Sequence, residues 1–277
     1  MIIRESSARI ASYQIYRRLW LPAVEPRARV LLVHGLAEHI GRYDRVAEFL
    51  TQCGYVVHGF DLPGHGRSSG RRVYVRRFGE LTSVLDACVR WTNQQPPTLP
   101  LFVYAHSVGA LVAVTWLLSA SRPPHSVVLT GPCIRIPDHV SPPTRALAVM
   151  LSWLLPWAGV SAVDAHGVSR DPIEVRRYVE DPLVVHGKTT ARLAGELMTA
   201  IRRLTDAVHR ITVPCLILHG GSDPIVDPDS ARWLHRALGS TDKQLAIFED
   251  LYHEIHHEPE RMAVLQRIAD WMNARVV

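Results

Sequence analysis

Lysine is nearly missing from this sequence: Lys188 and Lys243 are the only two, so the net charge of +5 is carried by arginine. Cysteine is sparse too, and Cys53, Cys88, Cys133 and Cys215 lie scattered in or beside apolar runs. That spacing excludes a cysteine metal site and a disulfide framework, and leaves four reduced, largely buried thiols. No repeat and no low-complexity tract is visible. Residues 1–12 contain no apolar stretch of the kind a secretory leader needs, so a cytoplasmic location is expected. Arg71, Arg72, Arg76 and Arg77 form the one basic cluster, around Val73-Tyr74-Val75. The run is short and has no helical face, so a solvated loop is expected, with an anionic surface or lipid headgroups as the other reading. One uncharged apolar run, residues 146–163, reaches the lower limit for a membrane span. Pro156 and Gly159 interrupt it, and a lone span in mid-chain would split the sheet across a bilayer. An apolar lid is expected instead, with Trp153 and Trp157 available for transient contact with a membrane surface.

What is present is an alternation of strands and helices. Near-continuous apolar runs at 30–33, 55–60, 101–104, 126–130, 214–219 and 244–248 read as strands covered on both faces. Helical patterns fall at 42–52, 78–91, 108–118, 229–238 and 259–273, and one or two edge strands lead within 10–21. Such an order requires a mostly parallel sheet with right-handed crossovers. Between Pro132 and Ile211 the rhythm breaks into helical patterns at 170–179, 187–198 and 200–210. The expected organisation is a core of residues 1–132 and 211–277 with a helical cap inserted at 133–210.

The centre of this pattern is Ala105-His106-Ser107-Val108-Gly109, a serine between small residues where a strand turns into a helix. The glycine-rich stretch from Asp61 to Gly70 lacks the spacing of a phosphate loop and reads as structure near the site. Asp223 follows the strand at 214–219, and His253 follows the one at 244–248. Serine, acid and histidine in that order, each after its own strand, is the order of the α/β-hydrolase fold. The chemistry needs all three: an imidazole to take the serine proton and hand it to the leaving group, and a carboxylate to hold the imidazole and stabilise its charge. Asp227 and Asp229 compete with Asp223, and His256 and His257 with His253; helix capping and helix entry are their simpler roles. His39, His58 and His65 read as structural. The backbone N–H groups of Leu36 and Val108 are the candidate oxyanion donors, each just past a strand end or behind the nucleophile.

One rival is metal chemistry, because His253-Glu254-Ile255-His256-His257 matches H-E-x-x-H. That motif needs a helix, and Pro259 behind it with a strand in front leaves no room for one. No metal and no cofactor is expected.

The stretches His34-Gly35, Glu38-His39, Gly41-Arg42-Tyr43, Gly64-His65-Gly66 with Ser68 and Gly70, Asp181-Pro182-Leu183, Gly220 with Asp223, and Tyr252-His253 together make a stronger signal. On these the sequence resembles the monoacylglycerol lipase and lysophospholipase family of α/β-hydrolase-fold serine hydrolases. The departures are Ala105 for glycine, and Leu36-Ala37 where Ala-Gly or Met-Gly is common. The resemblance implies a triad of Ser107, Asp223 and His253, an oxyanion hole at Leu36 and Val108, and a glycerol subsite at Glu38, Arg42, His106 and Tyr178. It implies hydrolysis of an ester with a single acyl chain, above all monoacylglycerol to glycerol and fatty acid. A small lipid ester is then the expected partner, with no nucleic acid; a lysophospholipase, a thioesterase or a general carboxylesterase is the same-fold alternative.

Overall fold

A computed structural model describes residues 1–136 and 141–276; residues 137–140, near the start of the expected cap, lie outside the described residues. The chain begins with a hairpin, β1 (Ile2–Ile10) and β2 (Tyr13–Leu21). The edge strand therefore starts well before residue 10. Nearly all of β1 is exposed, so no apolar alternation marked it in the sequence. Next come β3 (Ala28–Val33), a 3₁₀ turn at Ile40–Tyr43, α1 (Asp44–Gln52), β4 (Tyr55–Phe60), α2 (Gly79–Asn93), β5 (Leu101–His106), α3 (Val108–Leu117) and β6 (Ser126–Thr130).

Between β6 and the next strand of the large sheet come α4 (Pro142–Leu154), β7 (Gly159–Ser161), α5 (Pro172–Glu180), β8 (Thr189–Thr190) and α6 (Ala191–Ala207). The uncharged run is interrupted at Pro156 and Gly159 as expected: α4 stops before Pro156, and residues 159–161 pair with β8 as a short antiparallel ribbon. One expectation is corrected here. The two helices expected at 187–198 and 200–210 are the single α6 with a 3₁₀ turn after it. Thr190 caps α6 by accepting the Leu193 N–H, and Thr199 bonds back to the Gly195 carbonyl instead of breaking the helix. The core resumes with β9 (Cys215–Gly220), α7 (Asp229–Ala237), β10 (Lys243–Phe248) and α8 (Arg261–Asn273).

The strands make one eight-stranded sheet in the order β1-β2-β4-β3-β5-β6-β9-β10, antiparallel only at β1-β2 and β2-β4. Side chains alternate between two apolar layers. Leu31, Val33, Val103, Ala105 and Leu129 pack with α2 and α3, while Val30, Leu32, Phe102, Tyr104 and Val128 pack with α1 and α8. Each fully buried leucine or valine stabilises the fold by about 2 kcal/mol relative to exposure. α3 is apolar all round because it is buried all round. Parallel β3, β5, β9 and β10 end on one edge of the sheet, and the loops carrying Leu36, Ser107, Asp223 and His253 leave from that edge.

All four cysteines are free, Cys88 and Cys215 buried and the other two half-buried. Among the described residues no helix is long and apolar enough to cross a membrane.

Candidate active site

Ser107 sits in the turn between β5 and α3 with φ 53° and ψ −119°, a strained left-handed conformation for a serine. Its N–H donates to the Thr130 carbonyl of β6 at 2.9 Å, which anchors the turn. Gly109 is required by close approach: a Cβ there would lie 2.4 Å from the His34 carbonyl oxygen and 2.5 Å from that of Val33. Ala105, two residues before the serine, points into the sheet core instead, where its methyl packs.

The Ser107 Oγ lies 2.9 Å from His253 Nε2, and His253 Nδ1 lies 2.7 Å from Asp223 Oδ2. The carboxylate can only accept, so Nδ1 carries the hydrogen and Nε2 is left to accept the serine proton. The histidine loop reaches the acid because Gly220 has no side chain; a Cβ would meet the Tyr252 and Leu251 carbonyl oxygens at 2.2 and 2.3 Å. Asp223 Oδ1 accepts the N–H groups of Ile225 and Val226. Burial opposes the Asp223 charge, but His253 and His219 outweigh it and hold the carboxyl well below its usual range. Burial likewise opposes charge on His253; the Asp223 charge and hydrogen bond prevail, and its pKa is raised above 6.5. Asp227 folds back onto the Asp229 N–H, so both stand apart from the histidine.

Leu36 and Val108 flank the serine in the same cavity, and among the described residues neither N–H donates to a protein acceptor. Their loop is braced by buried His34, whose Nδ1 donates to the Gly35 carbonyl and whose Nε2 accepts the Leu62 N–H. Ala37 takes φ 65° in that loop.

Glu38, His106 and Tyr178 line this cavity of about 400 Å³ together with Ser107 and His253. Arg42 does not line it. Its guanidinium lies behind the wall, donating to Glu38 and, through two nitrogens, to Glu254, with Tyr178 stacked 4.7 Å above. It opens instead on a separate outer cleft of about 560 Å³. Glu254 does line the catalytic cavity and was not singled out for the ester site; Arg42 and His257 overcome its burial and keep it ionised. Glu38 goes the other way, its carboxyl raised by burial and by the nearby Glu254 charge despite Arg42. His219 was also missed; its Nε2 lies 2.9 Å from Asp223 Oδ2.

The H-E-x-x-H reading is not built. Residues 255–257 form one 3₁₀ turn, His253 points to the serine and acid, and His257 bonds Glu254 and the Arg42 carbonyl. His39 reaches Asp181 at 2.8 Å, His65 donates to the Pro63 carbonyl, and His58 packs edge-on against Trp91.

Comparison with known proteins decides the family. The sequence profile described as serine aminopeptidase, S33, matches residues 24–260. A monoacylglycerol lipase of Mycolicibacterium smegmatis is 35% identical over 267 residues, 96% of this chain and 95% of that protein. The chain belongs to the monoacylglycerol lipase family of α/β-hydrolase-fold serine hydrolases. Within this family, rat monoglyceride lipase is 33% identical over 95% of the chain and 88% of its own length. The crystal structure of Paleococcus ferrophilus monoacylglycerol lipase superposes with a TM-score of 0.84 at 30% identity, covering 94% of this chain and 99% of that one. As a member of the family the protein is a carboxylic ester hydrolase.

Proposed function

We propose that the protein hydrolyses monoacylglycerol to glycerol and a fatty acid through an acyl-enzyme. The observation that carries this reading is the Ser107–His253–Asp223 chain of 2.9 and 2.7 Å hydrogen bonds opening on a cavity with one densely polar wall. Ser107 Oγ attacks the ester carbonyl as His253 Nε2 takes its proton, and the same nitrogen protonates the departing glycerol oxygen. The N–H groups of Leu36 and Val108 stabilise the oxyanion, and water then releases the fatty acid. Glu38, His106, Tyr178 and Glu254 receive the glycerol hydroxyls, and Arg42 acts from behind by fixing the two carboxylates.

Residues 133–210 act as a cap over the acyl chain. Leu147, Met150, Trp153, Leu154, Leu155 and Trp157 are all exposed on and after α4, an apolar surface suited to transient contact with a lipid layer. Arg71 adds a cation beside it, 5.2 Å from the Trp157 ring centre.

A phospholipase of Bacillus subtilis is 31% identical over 88% of the chain and 94% of its own length, which keeps lysophospholipid in the comparison. Charge favours monoacylglycerol: a phosphate at the polar wall would face Glu38 and Glu254, with Arg42 already engaged by both. The test is a panel of monoacylglycerol, lysophosphatidylcholine, triacylglycerol and a short aryl ester, with Ser107→Ala as the blank. Monoacylglycerol should lead by about tenfold or more in kcat/KM, about 1.4 kcal/mol of transition-state discrimination. Tyr178→Phe should lose more on monoacylglycerol than on the aryl ester. Preference for lysophosphatidylcholine or the aryl ester would keep the nucleophile and overturn the glycerol site; an active Ser107→Ala would overturn the mechanism.

A further inference from the structure

His219, the penultimate residue of β9, is fully buried and aimed at the acid of the site. Its Nε2 lies 2.9 Å from Asp223 Oδ2 and 2.9 Å from the Val226 carbonyl oxygen. A carbonyl only accepts, so Nε2 must carry the hydrogen and shares it between these two acceptors. Its Nδ1 is buried without a partner among the described residues. A hydrogen placed there would be a buried donor without an acceptor, so the geometry puts the ring's hydrogen on Nε2. The same oxygen, Oδ2, takes the hydrogen bond of His253 Nδ1. Two imidazoles therefore donate into one carboxylate oxygen while two backbone N–H groups occupy the other.

We infer that His219 is a positioning residue for ester hydrolysis: it locks Asp223 Oδ2 against His253 and draws off part of the charge that makes His253 basic. Two effects follow. Without the second donor the carboxylate can turn about its χ2 and lose aim. With the donor present, less negative charge stabilises the imidazolium, so His253 stays neutral to a lower pH. The other ionisable groups facing this pair are His106, its ring centre 4.7 Å from that of His253, with Glu38 and Glu254 beyond and Cys133 on the Asp223 side. Among the described residues none of these four hydrogen-bonds Asp223.

The inference rests on the Ser107–His253–Asp223 reading but not on the glycerol site, so its test uses a soluble aryl ester, with rates normalised by fluorophosphonate titration of Ser107. His219→Phe removes the donor and keeps a ring; His219→Gln keeps a donor. For Phe, kcat should fall about tenfold to a hundredfold, the worth of one hydrogen bond to a charged acceptor, with KM nearly unchanged. The acid limb of kcat/KM should move up by about half a pH unit. Gln should recover most of kcat and the original limb. If Phe does not fold, His219→Met replaces it as the donor-free variant. Wild-type kcat and an unmoved acid limb per titrated site in either donor-free variant would overturn the inference and leave His219 a core residue. An inert wild-type Ser107 toward fluorophosphonate would instead indict the triad itself.

Discussion

Ala105 and Gly109 flank Ser107 symmetrically in sequence, yet space around them is not symmetric. Ala105 turns inward to the sheet, whereas a methyl on residue 109 would strike two β3-end carbonyl oxygens, which cannot move without disturbing the loop that carries Leu36. Gly109→Ala should therefore cost about 3 kcal/mol, in the upper range of overpacking, and most of the esterase activity. Ala105→Gly should cost about 1 kcal/mol and leave activity within about twofold. Thermal melts and aryl-ester rates of the two variants check this; equal losses would show that the contact at residue 109 does not set the turn. Most of the site was legible at this scale, because Ser107, Asp223 and His253 each follow a strand in a fixed order. His219 and Glu254 were not. His219 reads as one more strand residue, and its contact with Asp223 arises only when the chain turns back within four residues. Glu254 was absorbed into an H-E-x-x-H pattern whose letters match but whose helix does not form. Arg42 was assigned to the glycerol subsite through the family resemblance, and only the packing shows that two carboxylates already occupy it.

At the scale of elements, the strands with both faces covered were legible almost residue for residue, since burial on two faces writes a continuous apolar run. β1 was not, because a mostly exposed edge strand carries no such signal, and β7 and β8 were not, because two or three residues are too few. The proposed cap divides in the same way. α5 is tied to the core by the Arg45–Glu174 ion pair and, just beyond the helix, by the His39–Asp181 hydrogen bond. α4 packs instead on α6, where Gly195 lets Ser152 come close and Arg192 stacks 3.3 Å over Trp153. Trp153, with one ring face on Arg192, still keeps 56% exposure and the following Trp157 62%, far above what a core-facing tryptophan shows. If these two rings meet the lipid layer, Trp153→Ser with Trp157→Ser should lower turnover of monoacylglycerol presented in vesicles by about fivefold or more, since each ring brings a large apolar area to the interface. Turnover of a soluble aryl ester should change little. Parallel loss on both substrates would mean that the tryptophans support the cap's own fold.

The molecule as a whole carries an acid sensitivity that no single element reveals. His34, His58, His65, His106 and His256 are buried, and burial is the leading cause that lowers each, His58 to about 3 and His65 to about 4. Folded, these rings stay neutral; unfolded, they take up protons near the ordinary value of 6.5. Their contribution to stability is therefore complete above pH 6.5 and is lost as pH falls below it, each at up to about 1.4 kcal/mol per pH unit. Together the five approach a slope of about 7 kcal/mol per unit, against a total stability of about 5–15 kcal/mol. Asp223 and Glu254 act later, because their depressed values keep their stabilisation intact until pH falls through the carboxylate range. His253 has the opposite sign: its raised value adds stability that is full below 6.5 and is lost as pH rises through it. Two losses should then appear in order on acidification. Activity goes first, as His253 becomes charged above pH 6.5, and the fold follows. The urea midpoint should hold between pH 8 and 7 and drop by about a third or more by pH 5.5. A midpoint flat across that range would mean the buried rings take up protons inside the native structure, so that acid inactivation would be the charging of His253 alone.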